Sequence, residues 1–134
     1  MILVDAGPMV ALLRKPDQHH ERCAAALGQI KGPLATVWPP VTEAMFLLSD
    51  RPDAQSRLSE QIESEAITLL QLDRSDVPRI RELMAKYRDR PMDLADAALV
   101  RVAERERIET IFTVDRSDFE VYRLFGRKRF KIIP

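Results

Sequence analysis

A three-layer α/β/α sandwich around a mostly parallel central sheet of four to five strands is the fold class this sequence predicts. Three observations predict it. Short apolar runs alternate along the chain with segments of helical periodicity, the pattern of parallel strands joined by crossover helices. Two of those runs stop at an aspartate, Asp5 and Asp115, as strands do where an open sheet meets a ligand crevice. The 134 residues suffice for one core and do not divide comfortably into two, so 1–134 is read as a single domain.

Ile2-Leu3-Val4 is a continuous apolar run, expected of a central strand covered on both faces. It ends at Asp5, and Gly7-Pro8 follows. Pro8 suits the first turn of a helix continued by Met9 to Leu13, and Pro16-Asp17 breaks it before a second helix over 18–29. Gly32-Pro33 resets the chain. Leu34 to Val37 then read as a second strand, and Pro39-Pro40 opens a helix reaching Leu48, with Glu43 in its first turns. An amphipathic helix over 54–64 precedes the aliphatic run Ala66 to Leu72, the third strand. Ser75 or Asp76 caps a helix whose Val77, Ile80, Leu83, Met84 and Tyr87 recur at helical spacing, and Arg90-Pro91 ends it. Another helix is predicted from Asp93 to Arg107, with Leu94, Ala97, Ala98, Leu99, Val102 and Ala103 inside. Thr110 to Val114 form the fourth strand, and a polar stretch leads to a final strand near 130–133.

Composition narrows the function. Apolar residues make up 46% of the chain, in runs too short to span a bilayer, so neither disorder nor a membrane partner is expected. The start, Met1 to Asp5, shows no basic segment or cleavage site, which implies a cytoplasmic protein. Cys23 is the only cysteine, which leaves no cysteine-built zinc site. Twenty-one basic residues balance twenty-one acidic ones, so net charge does not decide for or against nucleic acid. Distribution is more telling: Arg123, Arg127, Lys128, Arg129 and Lys131 crowd one segment, interleaved with Leu124, Phe125 and Phe130. That segment reads equally as a phosphate-binding surface and as a solvated turn before the last strand.

Four separated acids fall where such a fold binds ligands. Asp5 and Asp115 end strands, Glu43 opens the helix after the second strand, and Asp96 lies in the first turn of the helix before the fourth. An acid at a strand end is ordinary turn chemistry. Glu43 and Asp96 carry more weight, because Val41, Ala44, Met45, Phe46, Leu47 and Leu48 surround the first, and Ala95, Ala97, Ala98 and Leu99 the second. A carboxylate in apolar surroundings is costly unless paired with a cation. Several ionised together imply a compensating cation, and all-oxygen donors select Mg²⁺ or Mn²⁺ over zinc. Such a metal would lower the pKa of a bound water and stabilise charge on a phosphodiester.

The series Ile2-Leu3-Val4-Asp5, Val41-Thr42-Glu43-Ala44, Asp93-Leu94-Ala95-Asp96-Ala97-Ala98-Leu99-Val100 and Thr113-Val114-Asp115-Arg116-Ser117-Asp118-Phe119 resembles the PIN-domain family in order and spacing over essentially the whole chain. Within that family it is similar to the VapC-type toxins of bacterial and archaeal toxin–antitoxin pairs. The resemblance implies a Mg²⁺- or Mn²⁺-dependent endoribonuclease in which Asp5, Glu43, Asp96 and Asp115 bind one or two metal ions and a metal-bound water hydrolyses RNA. It also implies a small antitoxin partner and a homodimer. Thr113 matches a position that often carries a hydroxyl and would orient a ligand from behind. Where many relatives place Ser or Thr after the first acid, this chain has Ala6-Gly7, so one supporting hydroxyl is missing.

Asp93 is expected to cap its helix in preference to joining the site from outside, whereas Asp118 fits a pocket wall or a turn equally. His19 and His20 read as a surface cap more readily than as ligands, and Trp38 as an anchor for the strand-to-helix turn more readily than as a base-stacking ring. The competing function is a catalytically silent PIN-like module acting through protein or RNA binding in RNA processing. A phosphoacceptor signalling domain would want an acidic pair after the first strand, and an aspartate-nucleophile phosphatase a second Asp two residues on. Asp5-Ala6-Gly7 supplies neither. No GxGxxG or P-loop pattern occurs.

Overall fold

The computed structural model describes residues 1–134. Five parallel strands form the central sheet: β1 (Ile2–Val4), β2 (Leu34–Thr36), β3 (Ile67–Leu69), β4 (Thr110–Phe112) and β7 (Lys131–Ile133), in the order β3-β2-β1-β4-β7. Strand alternation sends successive side chains to opposite faces. Leu3, Ala35 and Ile111 join one buried cluster, Val4, Ile67 and Phe112 the other, which is why the strands read as unbroken apolar runs.

The first face is covered by α5 (Val77–Lys86) and α6 (Leu94–Glu106), through Leu83, Ala97, Ala98, Leu99 and Val102. The second is covered by α1 (Ala6–Leu13), α2 (His20–Gln29), α3 (Trp38–Leu47) and α4 (Pro52–Glu63), through Met9, Cys23, Val41, Ala44 and Leu58. This is the predicted three-layer sandwich, with all five strands parallel. From β1 the chain steps outward through β2 to β3, then crosses back to place β4 on the other side of β1. The sheet therefore reverses direction between β1 and β4, and open α/β sheets bind ligands at that crevice.

Some predicted bounds shift. The run Ala66 to Leu72 is strand only over its middle, because Leu70 and Leu72 turn into the core under α5 and α6. A 3₁₀ turn, Arg74–Asp76, precedes α5, and Asp73 caps it. The polar stretch after β4 holds a short helix, α7 (Arg116–Phe119), and a two-stranded ribbon, β5 (Arg123–Leu124) paired antiparallel with β6 (Lys128–Arg129). No helix is long and apolar enough to cross a membrane.

Candidate active site

Asp5 continues β1 by one residue, its N–H donating to the Phe112 carbonyl at 3.0 Å. It is also the residue that caps α1: Oδ1 accepts from the Ala6 N–H at 2.8 Å. Oδ2 accepts from the Thr113 hydroxyl at 2.8 Å, and that hydroxyl accepts in turn from the Asp115 N–H at 3.0 Å. Thr113 thus ties the acid after β1 to the acid after β4. The first turn of α1 lies so close to the end of β4 that a Cβ on Gly7 would collide with Val114 Cγ2, so any larger residue at position 7 would have to displace the Val114 side chain. Asp5 itself is just 3% exposed. Burial pushes its pKa up to about 6 against the lowering hydrogen bonds from Ala6 and Thr113.

Asp96 enters from the opposite side, in the first turn of α6. Asp93 caps this helix, accepting from the Asp96 N–H at 2.9 Å, as its sequence position suggested. Asp96 Oδ2 accepts from the Tyr122 hydroxyl at 2.8 Å. Burial, and then the charge of Asp5, push the Asp96 pKa up to about 8. Tyr122 is fully buried, edge-on to Tyr87 and Phe119 at centroid separations of 5.0 and 5.2 Å. Burial and its bond to Asp96 raise its own pKa.

Asp5, Glu43, Asp93, Asp96, Asp115 and Asp118 all line one cavity of about 230 Å³, with Ala6, Gly7, Leu47 and Pro91 completing the wall. No basic side chain lines it. Glu43, though exposed at the cavity rim, is held above its usual range by partial desolvation of its carboxylate and then by the charges of Asp93 and Asp115. Asp115 is raised by burial, Asp118 and Asp93, with His19 acting against them. Asp118 faces the cavity and accepts from Arg90 Nη1 at 2.6 Å, so it stands in the pocket wall, and its side chain is held by a distant arginine instead of closing a turn. The carboxylates surround the space rather than converge on one point, and no three of them form a finished coordination shell. Chemically the donor set fits a hard divalent cation: all oxygen, several charges, and pKa values raised by burial and mutual repulsion.

Three expectations need correction. Glu43 is exposed, not enclosed by apolar neighbours. The inner face of α3 is Val41, Ala44 and Leu48, while Phe46 and Leu47 share the outer side with Glu43 and are themselves exposed, Phe46 at 75%. Trp38 is no turn anchor, since it stands 58% exposed in a groove with Phe46 and Leu94 beside Glu43. His19 occupies the N-cap of α2 without a side-chain capping bond. Its own N–H is taken by Asp17 Oδ1, and His20 Nδ1 lies 2.6 Å from the Ala11 carbonyl. Sequence reasoning also missed Tyr122, whose partner Asp96 lies 26 residues away.

A family model described as the PIN domain matches residues 2–124. Ribonuclease VapC26 of Mycobacterium tuberculosis is 26% identical over 135 aligned positions, covering 99% of this chain and all of the relative. Among solved structures, Mycobacterium tuberculosis VapC20, a sarcin-ricin loop cleaving toxin, superposes with a TM-score of 0.79 at 18% identity, over 88% of this chain and 94% of that one. A toxin–antitoxin complex from Klebsiella pneumoniae gives 0.69 at 17% identity, over 90% and 92%.

Proposed function

The chain belongs to the PIN-domain family, and from that premise we propose that it is a Mg²⁺- or Mn²⁺-dependent endoribonuclease, the toxin of a VapBC-type pair acting in the cytoplasm. The observation that carries the proposal is the cavity lined by six carboxylates and no basic group, with Asp5 and Asp96 pushed up to about 6 and about 8. Such a pocket rejects RNA on its own and accepts a phosphodiester once a cation neutralises it. A bound divalent ion would supply an activated water and a counter-charge for the leaving oxygen.

Each residue has a distinct part in this reading. Asp5 and Asp96 are the inner ligands, and Glu43 and Asp115 close the coordination from the rim. Thr113 fixes the Asp5 carboxylate and Tyr122 the Asp96 carboxylate, as outer-shell donors do in metal sites. Asp93 supports the site by capping α6, and Asp118 by facing the cavity while tethered to Arg90. The antitoxin and a second copy of the chain complete the proposal. The exposed Trp38, Phe46, Leu47 and Leu94 beside the cavity supply an apolar face that a homodimer would cover.

The test is cleavage of mixed structured and single-stranded RNAs with Mg²⁺ or Mn²⁺, with chelator, and by Asp5→Ala and Asp96→Ala proteins. Cutting is expected only from the unaltered chain with metal. Activity surviving chelation and both substitutions would sink the proposal.

A further inference from the structure

Arg14, Arg51, Arg79, Arg90, Arg101, Arg105 and Arg116 all engage a carboxylate. Among the cations that engage none, Arg107, Arg127 and Lys86 lie where the β5–β6 ribbon meets the C-terminal end of α6, and Arg129 belongs to the same ribbon. A cleft of about 220 Å³ there is walled by Arg107, Arg127, Lys128, Phe125 and Glu109. Its one acid, Glu109, is already occupied by Lys128. Lys86 reaches over the Tyr87 ring, 5.4 Å from its centroid, toward Gly126 at the ribbon tip. In the ribbon ladder Arg123 stands opposite Arg129, and like charges directly opposed cost stability. Arg123 is satisfied by the carbonyls of Glu120, Val121 and Tyr122, which leaves Arg129 facing solvent.

Phe125 adds a second kind of feature. Its φ of 54° puts a bulky side chain in the left-handed region, a conformation that costs energy outside glycine. The strain is held by its N–H donating to the buried Glu104 carboxylate at 2.6 Å. The outcome is an aromatic ring left 50% exposed at the lip of a cationic cleft, instead of packed in the core beside Leu124. Unpaired guanidinium groups beside an exposed aromatic ring are the elements by which proteins hold single-stranded nucleic acid, through phosphate contacts and base stacking.

The cleft and the carboxylate cavity share no lining residue and lie toward opposite ends of α6. Arg90 sits at the cavity rim on Asp118, and Tyr122, in contact with Asp96, leads directly into β5. From Asp96 to Ala103, which lines the cleft, α6 advances roughly 10 Å. We propose that this cleft anchors the phosphodiester backbone of single-stranded RNA at the far end of α6 from the carboxylate cavity, with Arg107 and Arg127 meeting phosphates and Phe125 stacking a base. The inference rests on the RNA reading above and adds where the rest of the substrate is held.

The experiment measures binding of a labelled single-stranded RNA to Asp96→Asn protein across a range of salt, with and without Arg107→Gln plus Arg127→Gln. Both arginines are exposed, so thermal unfolding should be unaffected. Each phosphate contact to a single strand contributes about 0.7 to the slope of log K against log salt, so the slope should flatten by about 1.4. In an otherwise unaltered enzyme the same pair should raise KM and leave kcat in place, and Arg→Lys at both positions should restore most of the slope. A protein that still binds and cuts RNA with unchanged slope and KM would overturn the anchoring site alone. Polyglutamate of matched charge displacing the RNA as well as unlabelled RNA does would overturn it in favour of an acidic peptide. No RNA binding by Asp96→Asn and no cutting by the unaltered chain would overturn it together with the reading it rests on.

Discussion

One helix, α6, carries two buried acid sites that are handled in opposite ways. Along its middle and end, Arg101 and Arg105 donate to Asp76, a fully buried carboxylate that also accepts from the Asp73 N–H. Glu104 of the same helix is bracketed by Arg79 and the Phe125 N–H. Burial alone would raise both acids, yet these partners bring both below their usual range. At its first turn, α6 presents Asp96 to Asp5 with no cation between them, and both are raised. The difference teaches what the carboxylate cavity lacks. This chain neutralises its structural acids internally with arginine, and offers Asp5 and Asp96 no such partner.

Breaking the arginine side of that comparison should have the largest effect. Asp76→Ala strands Arg101 and Arg105 between α5 and α6 and frees the Asp73 N–H. Removing one partner of a buried ion pair costs several kcal/mol, and with both arginines about a quarter exposed about 3 kcal/mol is expected, read by denaturant unfolding. Breaking the cavity side should act in the reverse direction. Without metal at pH 8, Asp5→Asn should be more stable than the parent chain by on the order of 1 kcal/mol, since it deletes a buried charge of raised pKa. Loss of stability in Asp5→Asn would mean that the carboxylate is a structural element like Asp76.

Mg²⁺ or Mn²⁺ sharpens the contrast. Binding to the folded state alone at a hundredfold excess over Kd stabilises by about 2.7 kcal/mol. That gain should appear in the parent chain and in Asp76→Ala but vanish in Asp96→Asn. An equal gain in all three would place the ion elsewhere. The pH response should differ in sign as well. Folded Asp5 and Asp96 keep their protons up to about 6 and about 8, whereas the ordinary value is 3.8. Between those limits the folded chain binds more protons than the unfolded one, so the metal-free protein should lose stability as pH rises from about 4 to 8 and then level off. Asp76, held low, contributes stability present above 3.8 that is lost as pH falls through its folded value. Thermal melts at stepped pH with and without metal would expose an inversion of either trend.

The positions of the four acids were legible in the sequence, because strand ends and helix starts are marked by local pattern. Their depth was not. Glu43 sits among apolar residues, but Phe46 and Leu47 are exposed beside it, and apolar neighbours do not imply burial when a helix shows apolar groups on two faces. Asp5 looked like plain turn chemistry and is the deepest of the four, held by Phe112 and Thr113 from a segment more than a hundred residues away. The ribbon left a trace that was read as a turn: Arg123-Leu124 and Lys128-Arg129 flank Phe125-Gly126, a short run with glycine at its bend.

The smallest expected effect belongs to the contact with no sequence signal at all. Tyr122→Phe removes one hydroxyl and leaves the ring against Tyr87 and Phe119. Were that hydroxyl only a structural bond, its loss would cost about 1 kcal/mol of stability and leave metal affinity alone. If it orients Asp96, the balance shifts. Freeing Asp96 from a donor that lowers its pKa should make the carboxylate harder to ionise and less well aimed, weakening Mn²⁺ binding about tenfold with little change in unfolding. Titration of Mn²⁺ against both proteins, beside their melting curves, separates the two cases. A melting loss with unchanged Mn²⁺ affinity would move Tyr122 to the same side of the comparison as Asp76, among the groups that hold the fold.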